Sequence, residues 1–428
     1  MSSDIPLDDA SRRELERLDE ILARGLSATE LGQYPRGLEL AEQAVAHADR
    51  IDHSGRRAKA LLNKGAVLAK LKRFNESAAS LREAARLADA SRDDHTRVRA
   101  LAKLVRVVGY RLAKPDEAEA IAADASAAMA RLKHAPLVAA ELYNALGTLA
   151  KKREDYKQAA QHHAHALTLL TDELGENHTR VAASMNNLGN VMKLAGLRDE
   201  SVDLFRRARA SFERTLGPSH PYVAIAMSNL GNLLLADPQA RFFGPNPRSY
   251  VEQCRTAEDL VRRAIAIRGS LPGAERRIGR AVHTLGEALR CGGDYGKALE
   301  QFERALVIKT IVYEKRPHAD LVSTLNGIAR CQIGLRDPAA ARNTLKRAIA
   351  ISASTKITHV DRGETLLTLA AAEYGFRTRD SRPKLARQHA IAARGAFLSA
   401  GPAYASHVRE VDRWLREHPP TASLGGHE

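Results

Sequence analysis

Aromatic side chains are scarce: Phe, Tyr and Trp make up 4% of the 428 residues, with one Trp among them. The core must therefore be aliphatic, and the 44% hydrophobic content sits in a chain rich in Ala, Leu, Arg and Glu. These are strong helix formers, while β-branched runs are few, which excludes a sheet-rich fold and predicts an all-α one. Cysteine is nearly missing too. Cys254, Cys291 and Cys331 are odd in number, far apart and without a CxxC, so a disulfide framework or zinc site is not expected and reduced thiols are. No uncharged apolar run approaches the roughly 20 residues of a membrane span. The start, "MSSDIPLDDASRREL", is polar and acidic, without a secretory h-region or a basic transit segment, and a cytoplasmic location is expected.

Chemistry-bearing motifs are lacking as well. There is no P-loop, HExxH, EF-hand or GxSxG pattern. No catalytic constellation, cofactor or metal site is predicted, and the chain reads as a non-enzyme. The nearest metal candidate is "HHAHA", with His162, His163 and His165. His163 falls on an inward-facing helical slot and the three do not share one face, so a further converging ligand would be needed.

A repeat is present instead. "MNNLGNVMKLAG" at Met185 returns at Met227 as "MSNLGNLLLADP", 42 residues later. The glycine of "LG" stands at Gly147, Gly189 and Gly231, with Gly25, Gly65, Gly286 and Ala329 in the same slot. Twelve residues on comes a small residue (Gly37, Ser77, Ala159, Ser201, Ala298, Ala341), and nineteen on comes Ala (Ala44, Ala84, Ala166, Ala208, Ala305, Ala348). A weaker unit takes Arg106 as its anchor, with Ala118 and Ala125 in the small slots. Near the end, Ala386 and Ala393 keep the seven-residue step. Small residues at these intervals let two antiparallel helices approach closely. Positions −4, −1 and +3 complete an apolar stripe that makes Met185, Met192 and Met227 core filler.

With an aromatic nine after the anchor (Tyr34, Phe74, Tyr156, Tyr295), the pattern resembles the tetratricopeptide repeat. The 42-residue period, "NNLG", and the joints "LGENH" at Leu174 and "LGPSHP" at Leu216 are similar to the kinesin-light-chain variety. Arg106 and Ala329 at the anchor, and Pro115 and Pro338 at the aromatic slot, depart from it. The resemblance implies a right-handed α-solenoid of about nine helix-turn-helix units over 11–398, after a tail at 1–10. A capping helix would follow at 399–418, with Val408, Val411, Trp414 and Leu415 on one face, and then a disordered tail at 419–428. The ending also resembles the repeat-bearing tails of bacterial Ser/Thr kinases, without the kinase motifs.

In such arrays positions −3, +1 and +4 line the concave groove. The resemblance thus nominates Asn144, Thr148, Lys151, Asn186, Asn190, Lys193, Asn232 and Arg290 as peptide-binding residues. An Asn amide can pair with any peptide backbone, and Lys or Arg selects acidic groups or a terminal carboxylate. Alternatively, these asparagines cap or bridge neighbouring repeats. Leu26, Ala66 and Val107 at the +1 slot confine the polar groove to the fourth to seventh units. The leading expectation is an interaction scaffold that binds an acidic, extended segment of a protein partner, of unspecified oligomeric state. The rivals are nucleic-acid binding, or a regulatory or sensor role, through the basic stretches 261–290 and 374–394. Each of these carries a net +5 of the chain's +15, but stacking residues are few.

In the sixth unit the anchor-to-Ala distance from Gly231 to Ala264 is 33 rather than 19. That predicts a long loop over 237–253 between its two helices. Phe242 and Phe243 sit at its centre, either as a plug over an inter-helix gap or as an exposed partner anchor. The stretch Arg377–Lys384 is expected on the same edge.

Overall fold

The computed structural model describes residues 9–236, 246–269, 275–355, 357–375, 382–401 and 404–418. Nineteen α-helices and no strand occur among them. The chain divides into two compact units, Met1–Leu197 and Arg198–Glu428. The first holds α1 (Asp9–Glu30), α2 (Tyr34–Arg50), α3 (Ser54–Lys70), α4 (Phe74–Ala90), α5 (Asp94–Val105), α6 (Pro115–Met129), α7 (Pro136–Lys152), α8 (Tyr156–Leu174) and α9 (Thr179–Leu194). The second holds α10 (Arg198–Leu216), α11 (Pro221–Leu235), α12 (Arg248–Gly269), α13 (Glu275–Cys291) and α14 (Tyr295–Val312). It continues with α15 (Ala319–Gly334), α16 (Pro338–Ser354), α17 (His359–Tyr374), α18 (Pro383–Ser399) and α19 (Ala405–Glu417).

Within each unit the helices pack as hairpins, α1 on α2, α3 on α4 and α7 on α8 in the first, and α11 on α12 through α17 on α18 in the second. The small-residue slots are the reason. Ala44, Ala84, Ala166, Ala208, Ala305 and Ala348 are fully buried, as are Ser77, Ala159, Ser201, Ala298 and Ala341. At Gly147 even a methyl group would not fit, since a Cβ there would lie 2.7 Å from the His163 ring. The aromatic slot opens the second helix of each hairpin, at Tyr34, Phe74, Tyr156 and Tyr295. Pro115 and Pro338 open α6 and α16 at the same place, where a first-turn proline gives up no helix hydrogen bond. The joints are caps. Gly175 and Gly217 follow the last helical residue at positive φ, and His178 and His220 accept backbone N–H bonds as N-caps of α9 and α11. In α19, Val411 and Trp414 are buried against Phe397 and Leu367.

Three features differ from the sequence expectations. First, the insertion in the sixth unit lengthens a helix as well as a loop. The α12 helix begins at Arg248, because Tyr250 and Cys254, one turn apart, are both buried and the Tyr250 hydroxyl donates to the Leu235 carbonyl at 2.7 Å. Phe242, Phe243 and residues 376–381 lie outside the described residues. Second, Cys254 and Cys291 are joined in a disulfide with Cα atoms 6.0 Å apart, tying the start of α12 to the end of α13; Cys331 stays free and buried.

Third, the third unit has a different register. A π-helical turn, Arg106–Arg111, closes α5, and α6 starts six residues after Gly109, whereas α8 starts nine after Gly147. The turn is three residues short. Gly109, not Arg106, meets the partner helix, with its Cβ position 2.9 Å from the Ala118 methyl. Counting back from Ala118 by the standard spacing therefore lands three residues too early. Arg106 occupies the −3 slot that Asn144 occupies in the next unit.

Candidate functional site

That register places side chains from α5, α7, α8 and α9 around one cavity of about 170 Å³ in the first unit. It is lined by Lys103 and Arg106, by Glu141 and Asn144, and by Arg180, Ser184 and Asn187, over an apolar floor of Ala102, Leu170 and Ala183. Three cations face one carboxylate. Glu141 is shared by Arg180 at 3.3 Å, Arg99 at 3.4 Å and Lys103 at 3.5 Å. Burial disfavours its ionised form, but Lys103, Arg99 and Arg180 outweigh that and hold its carboxyl below the usual range.

The cations are under strain of the opposite kind. Loss of water contact lowers the pKa of Lys103, which Glu141 only partly offsets while Arg99 and Arg106 add to it. Arg106 is exposed by surface area, so its tip reaches solvent, yet it is crowded among protein atoms. Desolvation and then Arg111 lower its pKa, and its guanidinium makes no ion pair among the described residues. Lys70, at the end of α3, is lowered by desolvation and then by Arg106, Lys103 and Arg111. Positive charge is concentrated here without its balance of acid.

Two polar groups complete the site. Ser184 lines the cavity and is 1% exposed, and its hydroxyl has no hydrogen-bond partner among the described residues. Asn144 Oδ1 lies 2.9 Å from His163 Nδ1. A carbonyl oxygen only accepts, so that nitrogen carries the proton and the amide is held with its NH2 available as donor. Buried His163 keeps the neutral form, its pKa lowered to about 4 by desolvation and then by Lys151, Arg106 and His162.

Of the residues nominated from sequence, Asn144 lines this cavity. Thr148 donates to the Asn144 carbonyl at 2.8 Å, and Lys151 lies 5.3 Å from the Tyr110 ring. The Asn190 amide donates to the Asn186 carbonyl in its own helix at 2.7 Å, and Lys193 is exposed. In the second unit Asn232 accepts from Thr284 at 2.8 Å, bridging α11 to α13. Arg290 pairs with Glu287 at 2.8 Å, and Glu287 also holds Arg330 at 3.1 Å. Burial opposes ionisation of Glu287, yet Arg290 and Arg330 bring its pKa to about 2. Arg290 is thus engaged within the fold.

Several cations of the two basic stretches are similarly engaged. Arg262 pairs with Glu258, Arg263 with Glu213, Arg382 with Glu373 and Arg394 with Asp412, while Arg387 donates to the Leu415 and His418 carbonyls at the end of α19. Lys103, Arg106, Glu141, Arg180, Ser184 and Asn187 went unread in the sequence. The available signal was "KLVRVVGY", where taking Gly109 as the anchor puts Lys103 and Arg106 on the groove face.

Residues 138–213 and 58–91 each match a family model described as tetratricopeptide repeat. The chain carries tetratricopeptide repeats. Residues 92–137, between the two matched stretches, hold the third repeat with its shortened turn. No curated protein matches the sequence. Among solved structures, the apo form of the quorum sensor NprR from B. thuringiensis is similar at 11% identity and a TM-score of 0.53, over 82% of this chain and 97% of that one. A Rap protein complexed with competence and sporulation factor is similar at 13% identity and 0.53, over 85% and 99%. These two share the helical-repeat fold. BtubC (BKLC) from P. vanneervenii is similar at 24% identity and 0.46, over 58% and 94%.

No helix among the described residues is long and apolar enough to cross a membrane.

Proposed function

We propose that this tetratricopeptide-repeat chain is a non-catalytic interaction scaffold that holds an acidic, extended segment of a partner protein in the first unit. The carrying observation is the cavity in which Lys103, Arg106 and Arg180 outnumber Glu141 beside the Asn144 amide. A cleft of about 170 Å³ takes one anionic side chain or a terminal carboxylate rather than a whole small-molecule ligand. Asn144 and Asn187 offer amides to the flanking peptide backbone. Lys151 and Lys193 would extend the same preference along the later repeats.

Fluorescence anisotropy with acidic, neutral and basic peptides of equal length tests the reading. Acidic peptides should bind and weaken with added salt, since exposed charge is screened within about 10 Å at 0.1 M. Arg106→Gln should cut that affinity without changing the melt. Equal binding of neutral or basic peptides, or indifference to Arg106→Gln, would refute it.

A further inference from the structure

Charge balance says more about the anion, provided the site binds peptides as proposed above. The residues lining the cavity carry three positive charges and one negative, a net of +2, and Arg99 stands behind Glu141 as a further cation. A carboxylate brings one negative charge and leaves the lining charged. A phosphodiester also brings one, and being linked on both sides it cannot enter end-on. A phosphomonoester brings about −1.5 to −2 at neutral pH and three acceptor oxygens on a single stem.

The donors match that shape. Arg106 and Arg180 are guanidinium forks suited to phosphoryl oxygens, and Lys103 adds a point charge to the same lining. Ser184 supplies a buried hydroxyl that has no hydrogen-bond partner among the described residues. Asn144, with Oδ1 taken by His163, presents only its NH2. All these groups donate, and a phosphoryl group is all acceptor. We infer that the cleft recognises a phosphorylated side chain, so that the bound acidic segment is a phosphopeptide and binding is switched by the partner's phosphorylation.

Calorimetry decides this with the full chain and three short synthetic peptides that share acidic flanks and differ at one position: Ser, Glu or phosphoserine. At about 150 mM salt the phosphopeptide should bind at least about tenfold more tightly than the Glu peptide, a gain of one charge-assisted contact. Ser184→Ala and Arg106→Gln should each remove most of that difference without lowering the melt. Inorganic phosphate should displace the phosphopeptide at concentrations where acetate does not. Equal affinity for Glu and phosphoserine would overturn the phosphoryl inference and leave the acidic-segment reading standing. Binding of a generic oligonucleotide in preference to every peptide would overturn both. Phosphopeptide preference unchanged in both variants would move the site elsewhere and overturn the assignment.

Discussion

At the scale of single residues, the site depends on contacts with almost no slack. His163 fills the space that the absent Cβ of Gly147 leaves, its Nε2 2.8 Å from that Cβ position, and its Nδ1 fixes the Asn144 amide. Gly147→Ala should push the imidazole away and cost about 1–3 kcal/mol, as overpacking does, measured as a lower urea midpoint with unchanged slope. The bound peptide should weaken in the same variant, because the Asn144 donor loses its orientation. An Ala at Gly175, with open space around it but φ +76, would act on stability alone. Equal effects of the two changes on binding would show that His163 does not position the amide.

At the scale of elements, the tight turns and the disulfide make separate predictions. Lys72, Glu154 and Arg336 end their helices in the left-handed region at φ 64, 65 and 64, where Gly196 and Gly293 stand in other turns. A left-handed L-residue is disfavoured by about 1–2 kcal/mol, and glycine's extra unfolded freedom takes back part of that gain. Glu154→Gly should therefore stabilise by about 0.5–1 kcal/mol, seen as a higher melting temperature. The Cys254–Cys291 bond closes a loop with a sequence separation of 37. Replacing both cysteines by Ser should destabilise the second unit by about 3–4 kcal/mol on the loop-entropy estimate. A reductant should do the same to the wild type and nothing further to the double variant. Were thiol labelling of the denatured, unreduced chain to find three free cysteines, the pairing would be wrong.

At the scale of the whole molecule, pH reaches both units through desolvated histidines, His163 buried and His283 partly so. His163 in the first is lowered to about 4 and His283 in the second to about 3, chiefly by desolvation. Both pKa values are depressed on folding, so the unfolded chain takes up protons first. The stability is complete above about 6.5 and is lost as pH falls toward 4 and then 3, at up to about 1.4 kcal/mol per pH unit for each histidine. Melting temperature should decline from pH 6.5 to pH 5, before Glu141 and Glu287, both held low, begin to protonate. A flat profile over that interval would contradict the desolvation of the two rings.

How much of this was legible follows from the range over which each feature is encoded. The hairpins, their small-residue seams and the histidine and glycine caps are set by residues within one unit, and periodicity displays them. The disulfide is not visible at that range, because it needs the start of α12, which depends on Tyr250 reaching back to Leu235. Nor is the pairing of individual cations in the basic stretches, since the partner of Arg263 is Glu213, fifty residues earlier. The cleft is hidden for a narrower reason. Arg106 reads as a defect in the seam while Ala118 is held at a fixed distance from its anchor, and the three-residue shortening of that turn removes the distance.

That shortened turn sets a division of labour along the polypeptide. Where the period is kept, identity is dictated by the neighbouring helix, and a change at Ala84 or Ala166 is a change in the scaffold. Where it slips, side chains leave the stacking seam, and Lys103 and Arg106 line the cavity instead. Duplicating a regular unit away from the cleft would lengthen the array and leave the cleft's lining unchanged. Moving the off-beat one alone would carry only Lys103 and Arg106, because Glu141, Asn144, Arg180, Ser184 and Asn187 belong to the regular units beside it, so the cleft is portable only together with its neighbours.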